Sequence, residues 1–174
     1  MLPPGSSVEG VVELSGAVCS ISYALDTVES TIKRVSDDRF GAIATFIGTT
    51  RNSFQGKAVT KLEYQGIKLF ASRSPIIQSC ITPAYTKLAL KTMTQIIVDA
   101  RNRTPDFRAV VQHRIGVVGV GEPSIVIAVS SPHRNEAFRT CEFILEEVKR
   151  KAQIWKREYY EGEDESEAEW KSNV

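Results

Sequence analysis

The sequence predicts an α+β fold, in which two long helices pack on one side of a largely antiparallel sheet. Three observations point to it. Two stretches, 82–101 and 131–148, repeat apolar residues at helical spacing. The stretches around them are short apolar runs rich in β-branched residues and bounded by glycine and proline. From Gly41 onward the two kinds follow one another as β-β-α-β-β-α-β. At 174 residues, with 42% hydrophobic and 25% charged side chains, the chain has the size and composition of one folded domain, unlike a disordered, collagen-like or membrane-spanning chain. That domain is assigned to residues 1–160, with an acidic tail over 161–174.

Residues 1–25 are expected to form a loosely ordered arm, because Pro3, Pro4, Gly5 and two serines open it without any period. Within it, Ala17–Tyr23 alternates weakly, as an edge strand would. Asp26, with Glu29 three residues on, reads as the N-cap of a short helix in which Val28, Ile32 and Val35 share a face. Gly41–Ile47 reads as a buried strand ending at Gly48, which delivers Thr49, Thr50 and Arg51 to its tip. Asn52–Gly56 is a loop and Ala58–Tyr64 a return strand. In the first long helix Leu88, Ala89, Met93, Ile96, Ile97 and Ala100 form the apolar stripe, with Thr82 as cap and Pro83 in the first turn. Phe107–Ile115 and Ser124–Ser130 are strands, joined by a loop holding Gly116, Gly119, Gly121 and Pro123. The second long helix starts at Ser131–Pro132 and aligns Ala137, Cys141, Ile144, Leu145 and Val148. Gln153–Tyr159 is the last strand, and the acidic stretch Glu161–Glu169 is expected to be solvated.

Lysine and arginine together number 22 against 21 aspartates and glutamates, so no bulk field draws the chain to nucleic acid or a membrane, and any charge preference is local. Cys19, Cys80 and Cys141 fit no metal or redox spacing, and no charged-then-apolar leader opens the chain, which implies a reduced, cytosolic protein with buried thiols. With only His113 and His133 present, a histidine-rich metal site is not expected.

Chemistry could reside in three places. Ser131-Pro132-His133-Arg134 lies where a strand gives way to a helix, and free N–H groups, the helix dipole, His133 and Arg134 could bind a phosphate there. The same residues would equally serve as exposed polar groups in a first turn. The basic run Lys149-Arg150-Lys151, followed by Lys156-Arg157-Glu158, crowds cations, which makes a lysine a better proton acceptor. Such a run also describes a solvated helix end. Arg51, at a strand tip, could bring a third cation. His113 sits in a strand pattern and is expected to be a hydrogen-bonded interior residue, and the glycines of 116–121 do not form a dinucleotide fingerprint.

Taken in order, Gly41-Ala42-Ile43-Ala44-Thr45-Phe46-Ile47-Gly48-Thr49-Thr50-Arg51-Asn52, Leu62-Glu63-Tyr64, His113-Arg114-Ile115-Gly116, Ser131-Pro132-His133-Arg134, and Lys149 with Trp155-Lys156-Arg157-Glu158 resemble the large, catalytic subunit family of molybdopterin synthase. The resemblance implies an α/β-hammerhead type of fold. It implies transfer of sulfur to cyclic pyranopterin monophosphate (precursor Z), which forms the dithiolene of molybdopterin. The sulfur donor would be the C-terminal thiocarboxylate of a small ubiquitin-like subunit, within a heterotetramer built on a central dimer of large subunits. Lys149 and Lys156 match the family's essential lysines and would handle proton transfer and thiocarboxylate positioning. Arg51, His133, Arg134, Arg157 and Glu158 would complete the substrate site, with no metal, cofactor, nucleic acid or membrane involved.

Residues 66–83 depart from the family, whose members pass almost directly from the Leu-Glu-Tyr strand into the helix. The segment reads as an insertion, either an intron translated in frame or a surface loop of the kind chains tolerate cheaply. Trp170-Lys171 is similar to a Trp-Lys pair near the family's C-terminus, with no role attached. Two other readings compete with the enzyme. One is a non-catalytic ferredoxin-like metabolite-binding module, since β-α-β-β-α-β from Ala58 is also that fold's order. The other is an inactive paralogue.

Overall fold

The computed structural model describes residues 8–65 and 75–172, with the side chains of 10–65 and 86–172. Its elements are β1 (Val8–Leu14), β2 (Ala17–Ser22), α1 (Val28–Val35), β3 (Ala42–Thr49), β4 (Ser53–Phe54), β5 (Lys57–Gln65), α2 (Pro75–Arg103), β6 (Arg108–Arg114), β7 (Gly116–Gly119), β8 (Pro123–Ser131), α3 (Arg134–Lys151), β9 (Trp155–Tyr160) and β10 (Trp170–Ser172). The fold is α+β, with two five-stranded sheets in place of the single expected one. The first has the order β1-β2-β6-β8-β3; in the second, β10-β9-β5-β4, β7 also pairs with β5. Most neighbours are antiparallel, but β2 runs parallel to β6.

The central strands explain the helix placement. In β6 and β8 nearly every residue is buried, on both faces, as strands covered from two sides must be. Ala109, Val111, Ile127 and Val129 face the main core, where Met93, Ile96 and Ile97 of α2 meet Ile144, Leu145 and Val148 of α3. Each such side chain contributes roughly 1.5–3 kcal/mol on burial. Val110 and Ala128 point the other way, against Val35 of α1. The two long helices therefore share one face and α1 covers the opposite one.

Several expectations need correction. Residues 8–22 are no loose arm: they form β1 and β2, and β2 is an interior strand whose Ala17, Cys19 and Ile21 enter the core. Their weak alternation arises because β2 is covered nearly throughout. The α1 cap is Thr27, whose hydroxyl accepts from the Ser30 N–H, and Asp26 instead pairs with Arg34. β3 is an edge strand with Ile43 and Ile47 each 42% exposed, so it is only half-buried. The return strand β5 joins the second sheet, which also removes the ferredoxin-like reading, since that fold holds all four strands in one sheet with β5 beside β8. The first long helix starts at Pro75 and runs through Thr82–Pro83, so Thr82 is not its cap; the rest of the 66–83 segment, residues 66–74, lies outside the described residues, as does the Cys80 side chain. The glycine-rich connection contains β7, paired with Lys61–Tyr64. The acidic tail folds back: Glu163 and Glu165 pair with Lys57 and Lys61 at 2.6 Å each, and β10 pairs with β9.

Candidate active site

The two sheets meet at a cavity of about 530 Å³, bordered by the Phe46–Arg51 end of β3, the start of β8, and strands β5 and β9. The last turn of α3 closes it with Lys149. Arg51, Lys149, Lys156 and Glu158 all line this space, so four residues from three separated segments share it.

Local structure sorts the basic run. In the last turn of α3, Arg150 and Lys151 both pair with Glu147, while half-buried Lys149 has no ion-pair partner among the described residues and borders the cavity. In β9 the two-residue period puts Lys156 and Glu158 on the cavity face and Arg157 on the other. Arg157, expected to help complete the site, does not line this cavity: its guanidinium lies over the Trp170 ring at 4.4 Å and donates to the Tyr159 hydroxyl at 3.4 Å. Lys156 Nζ is 3.3 Å from Glu158 Oε1, with the two side chains only 23% and 9% exposed. Glu158 Oε2 accepts from the Tyr160 hydroxyl at 2.7 Å. Burial pushes the Glu158 carboxyl up, but Tyr160, Lys156 and Lys171 outweigh it and hold it below the usual carboxylate value. The same burial and the neighbouring carboxylate push the Tyr160 phenol up to about 12.

His133 and Arg134 stand apart. Both are exposed at the N-terminal end of α3, and Arg134 is separated from Lys149 by about 22 Å of helix. Within one copy they cannot reach the cavity. His133 is the helix N-cap by backbone, with no side-chain capping bond.

The lining includes residues given no part by sequence reasoning: Phe46, Thr50, Phe54, Tyr64, His113 and Ser124. Register brings Tyr64 opposite Lys156, a pairing across 92 residues that no local pattern signals. Phe54 lies under the Arg51 guanidinium at 5.3 Å. Thr50 is 3% exposed, and its hydroxyl has no hydrogen-bond partner among the described residues. His113 is interior, as expected, and also floors the cavity: it is 1% exposed, its Nδ1–H donates to the Arg114 carbonyl at 2.8 Å, and burial lowers its pKa to about 4. It is thus a neutral imidazole beneath a cationic rim. The buried thiols of Cys19 and Cys141 lie away from the cavity lining, and burial pushes them up to about 12 and about 11.

The family model described as MoaE protein matches residues 22–76 and 77–151, and its break falls within the 66–83 segment. The chain is 41% identical over 140 residues to molybdopterin synthase catalytic subunit 2 of Aedes aegypti, covering 80% of this chain and 78% of that protein. It is also 41% identical over 140 residues to the molybdopterin synthase catalytic subunit of Drosophila erecta, of whose length it spans only 33%. Molybdopterin synthase from Staphylococcus aureus superposes with a TM-score of 0.68 at 26% identity, over 87% of this chain and 94% of that one.

Proposed function

Because this chain belongs to the MoaE protein family, we propose that it is the catalytic subunit of a molybdopterin synthase, transferring sulfur to cyclic pyranopterin monophosphate. One observation carries the reading: Arg51, Lys149 and Lys156 converge on a single half-enclosed cavity. The substrate carries a cyclic phosphate, the sulfur donor is a thiocarboxylate, and opening the phosphate ring adds negative charge. Preorganised cations in a partly desolvated site stabilise such charge as it develops. Lys149, with no carboxylate to neutralise it among the described residues, is the natural anchor for an incoming anion. Lys156, aimed by Glu158, is placed to exchange a proton at the reacting centre. Neutral His113 and Tyr64 beneath them add hydrogen-bonding capacity without competing charge.

In this reading the sulfur arrives on the C-terminal tail of a small ubiquitin-like subunit, and two loaded copies act in succession while a half-sulfurated intermediate stays bound. His133 and Arg134 reach substrate from the second large subunit of a central dimer, which supplies the cations one copy holds about 22 Å too far away. The step needs no metal. Two buried, unbridged thiols suit a reducing compartment, and we place the protein in the cytosol. Among the described residues no helix is long and apolar enough to cross a membrane.

The test combines the purified chain, thiocarboxylated small subunit and precursor Z, and assays the dithiolene product. Lys149→Ala and Lys156→Ala should each lower turnover by about 10²-fold or more with the thermal transition little changed. Wild-type turnover in both variants would refute their roles.

A further inference from the structure

The Trp170-Lys171 pair has no part in the function described above, yet the fold brings it beside β9, whose Lys156 and Glu158 line the cavity. β10 pairs with β9 so that Lys171 stands opposite Lys156 and Trp170 opposite Arg157. Directly opposed residues in a sheet share a face. Lys171 therefore lies on the Lys156–Glu158 face, with its Nζ 3.5 Å from Glu158 Oε2, while Lys156 Nζ lies 3.3 Å from Oε1. One carboxylate, 9% exposed, is thus shared between two ammonium groups, one on each oxygen. On the other face, Trp170 stacks on Arg157 and fastens the strand.

We propose that Lys171 is a positioning residue, which shares the second oxygen of Glu158 with the neutral Tyr160 hydroxyl and supplies its only cation there among the described residues, so that this carboxylate aims Lys156 at the cavity without neutralising it. The inference rests on the function proposed above. Without Lys171, the full charge of Glu158 would fall on Lys156 alone, and the tighter pair would hold the ammonium against Glu158 on the cavity wall instead of leaving it available to a bound anion. The other charged or titratable groups around the trio do not supply a substitute. From the cavity side these are Arg51, Tyr64, His113 and Lys149; among the described residues neither cation, Arg51 or Lys149, forms an ion pair with Glu158. From the tail side, Tyr160 is neutral, Lys57 is held by Glu163, and Glu163, Asp164, Glu165, Glu167 and Glu169 are themselves acidic.

The experiment has two arms. First, the Glu158 carboxyl is titrated by NMR in carboxyl-labelled protein, comparing wild type with Lys171→Met, Lys171→Arg and a distant control, Lys33→Met. Lys171 is one of the groups holding this carboxyl below its usual value, so its midpoint should rise in Lys171→Met only. Second, Lys171→Met should lower kcat by roughly two- to fivefold with KM for the pterin little changed, the range an exposed ion pair supports. Lys171→Arg should restore it. An unmoved midpoint in Lys171→Met overturns the proposal whatever the turnover. A moved midpoint with unchanged kcat overturns the positioning role. An inactive wild type would instead refute the sulfur-transfer reading, and the titration would still decide whether the bridge exists.

Discussion

Replacing His113 by glutamine should flatten the acid limb of this protein's stability. His113, on β6 between β2 and β8, is fully buried, its ring meets the Tyr64 ring of β5 edge-on at 5.2 Å, and burial lowers its pKa from 6.5 to about 4. The Arg114 carbonyl, which accepts from Nδ1–H, offsets this only in part. In the unfolded chain the imidazole takes up a proton as the pH falls below 6.5, whereas in the fold it stays neutral until about pH 4. The unfolded state therefore binds more protons across that window, and stability must rise with pH from about 4 to 6.5. At 1.36 kcal/mol per pH unit, the gap amounts to roughly 3 kcal/mol, fully lost below pH 4. Asp37, whose carboxyl is held well below the usual range chiefly by Arg39, contributes in the same direction but chiefly below about pH 4, so comparing the two proteins isolates His113 within the window. The assay is urea unfolding of wild type and His113→Gln between pH 4 and 7. The variant starts from lower stability, because it loses ring packing, but its slope should be shallower by about that 3 kcal/mol over the window. Parallel curves for the two proteins would refute the argument that His113 is held neutral by burial.

Other expectations follow from the same geometry. Gly48→Ala would place a Cβ 2.7 Å from Ile125 Cγ2 and 3.2 Å from the Phe46 ring, both in cavity-lining positions; it should cost about 1–3 kcal/mol, a drop of roughly 2–10 °C in Tm by calorimetry, and lower turnover further by shifting Arg51. If each cavity is completed by Arg134 of a second copy, the Arg134→Ala and Lys149→Ala variants, each nearly inactive, should regain roughly a quarter of wild-type turnover when co-refolded, since half the dimers then carry one intact site of two. No regain would place Arg134 outside the site. Intact-mass measurement of the protein from its source tests the 66–83 segment: a chain lacking those residues supports the translated intron, and one retaining them supports a genuine insertion.

How much of the site could be read from the chain depended on the range of the interactions. Amphipathic spacing located α3 and its buried face to within a few residues, because helical periodicity is a local property. The apolar runs likewise gave β3, β5, β6, β8 and β9. Local pattern failed where partners lie far apart. β2 looked marginal as a strand because its stability comes from parallel pairing with β6, some 90 residues away. β7 and β10 are three or four residues long and exist only through β5 and β9.

The sequence by itself determined the α+β class, the long helices and the residue types suited to an anionic substrate, because these follow from periodicity, composition and charge within short windows. Only the tertiary structure decided which cations act together. The pleat of β9 turned Lys156 and Glu158 inward and Arg157 outward, and the length of α3 carried Arg134 away from Lys149. Register placed Tyr64 and Lys171 on either side of Lys156. Such choices are set by which strands hydrogen-bond and by how far a helix runs, and neither is encoded in the immediate neighbours of the residues concerned.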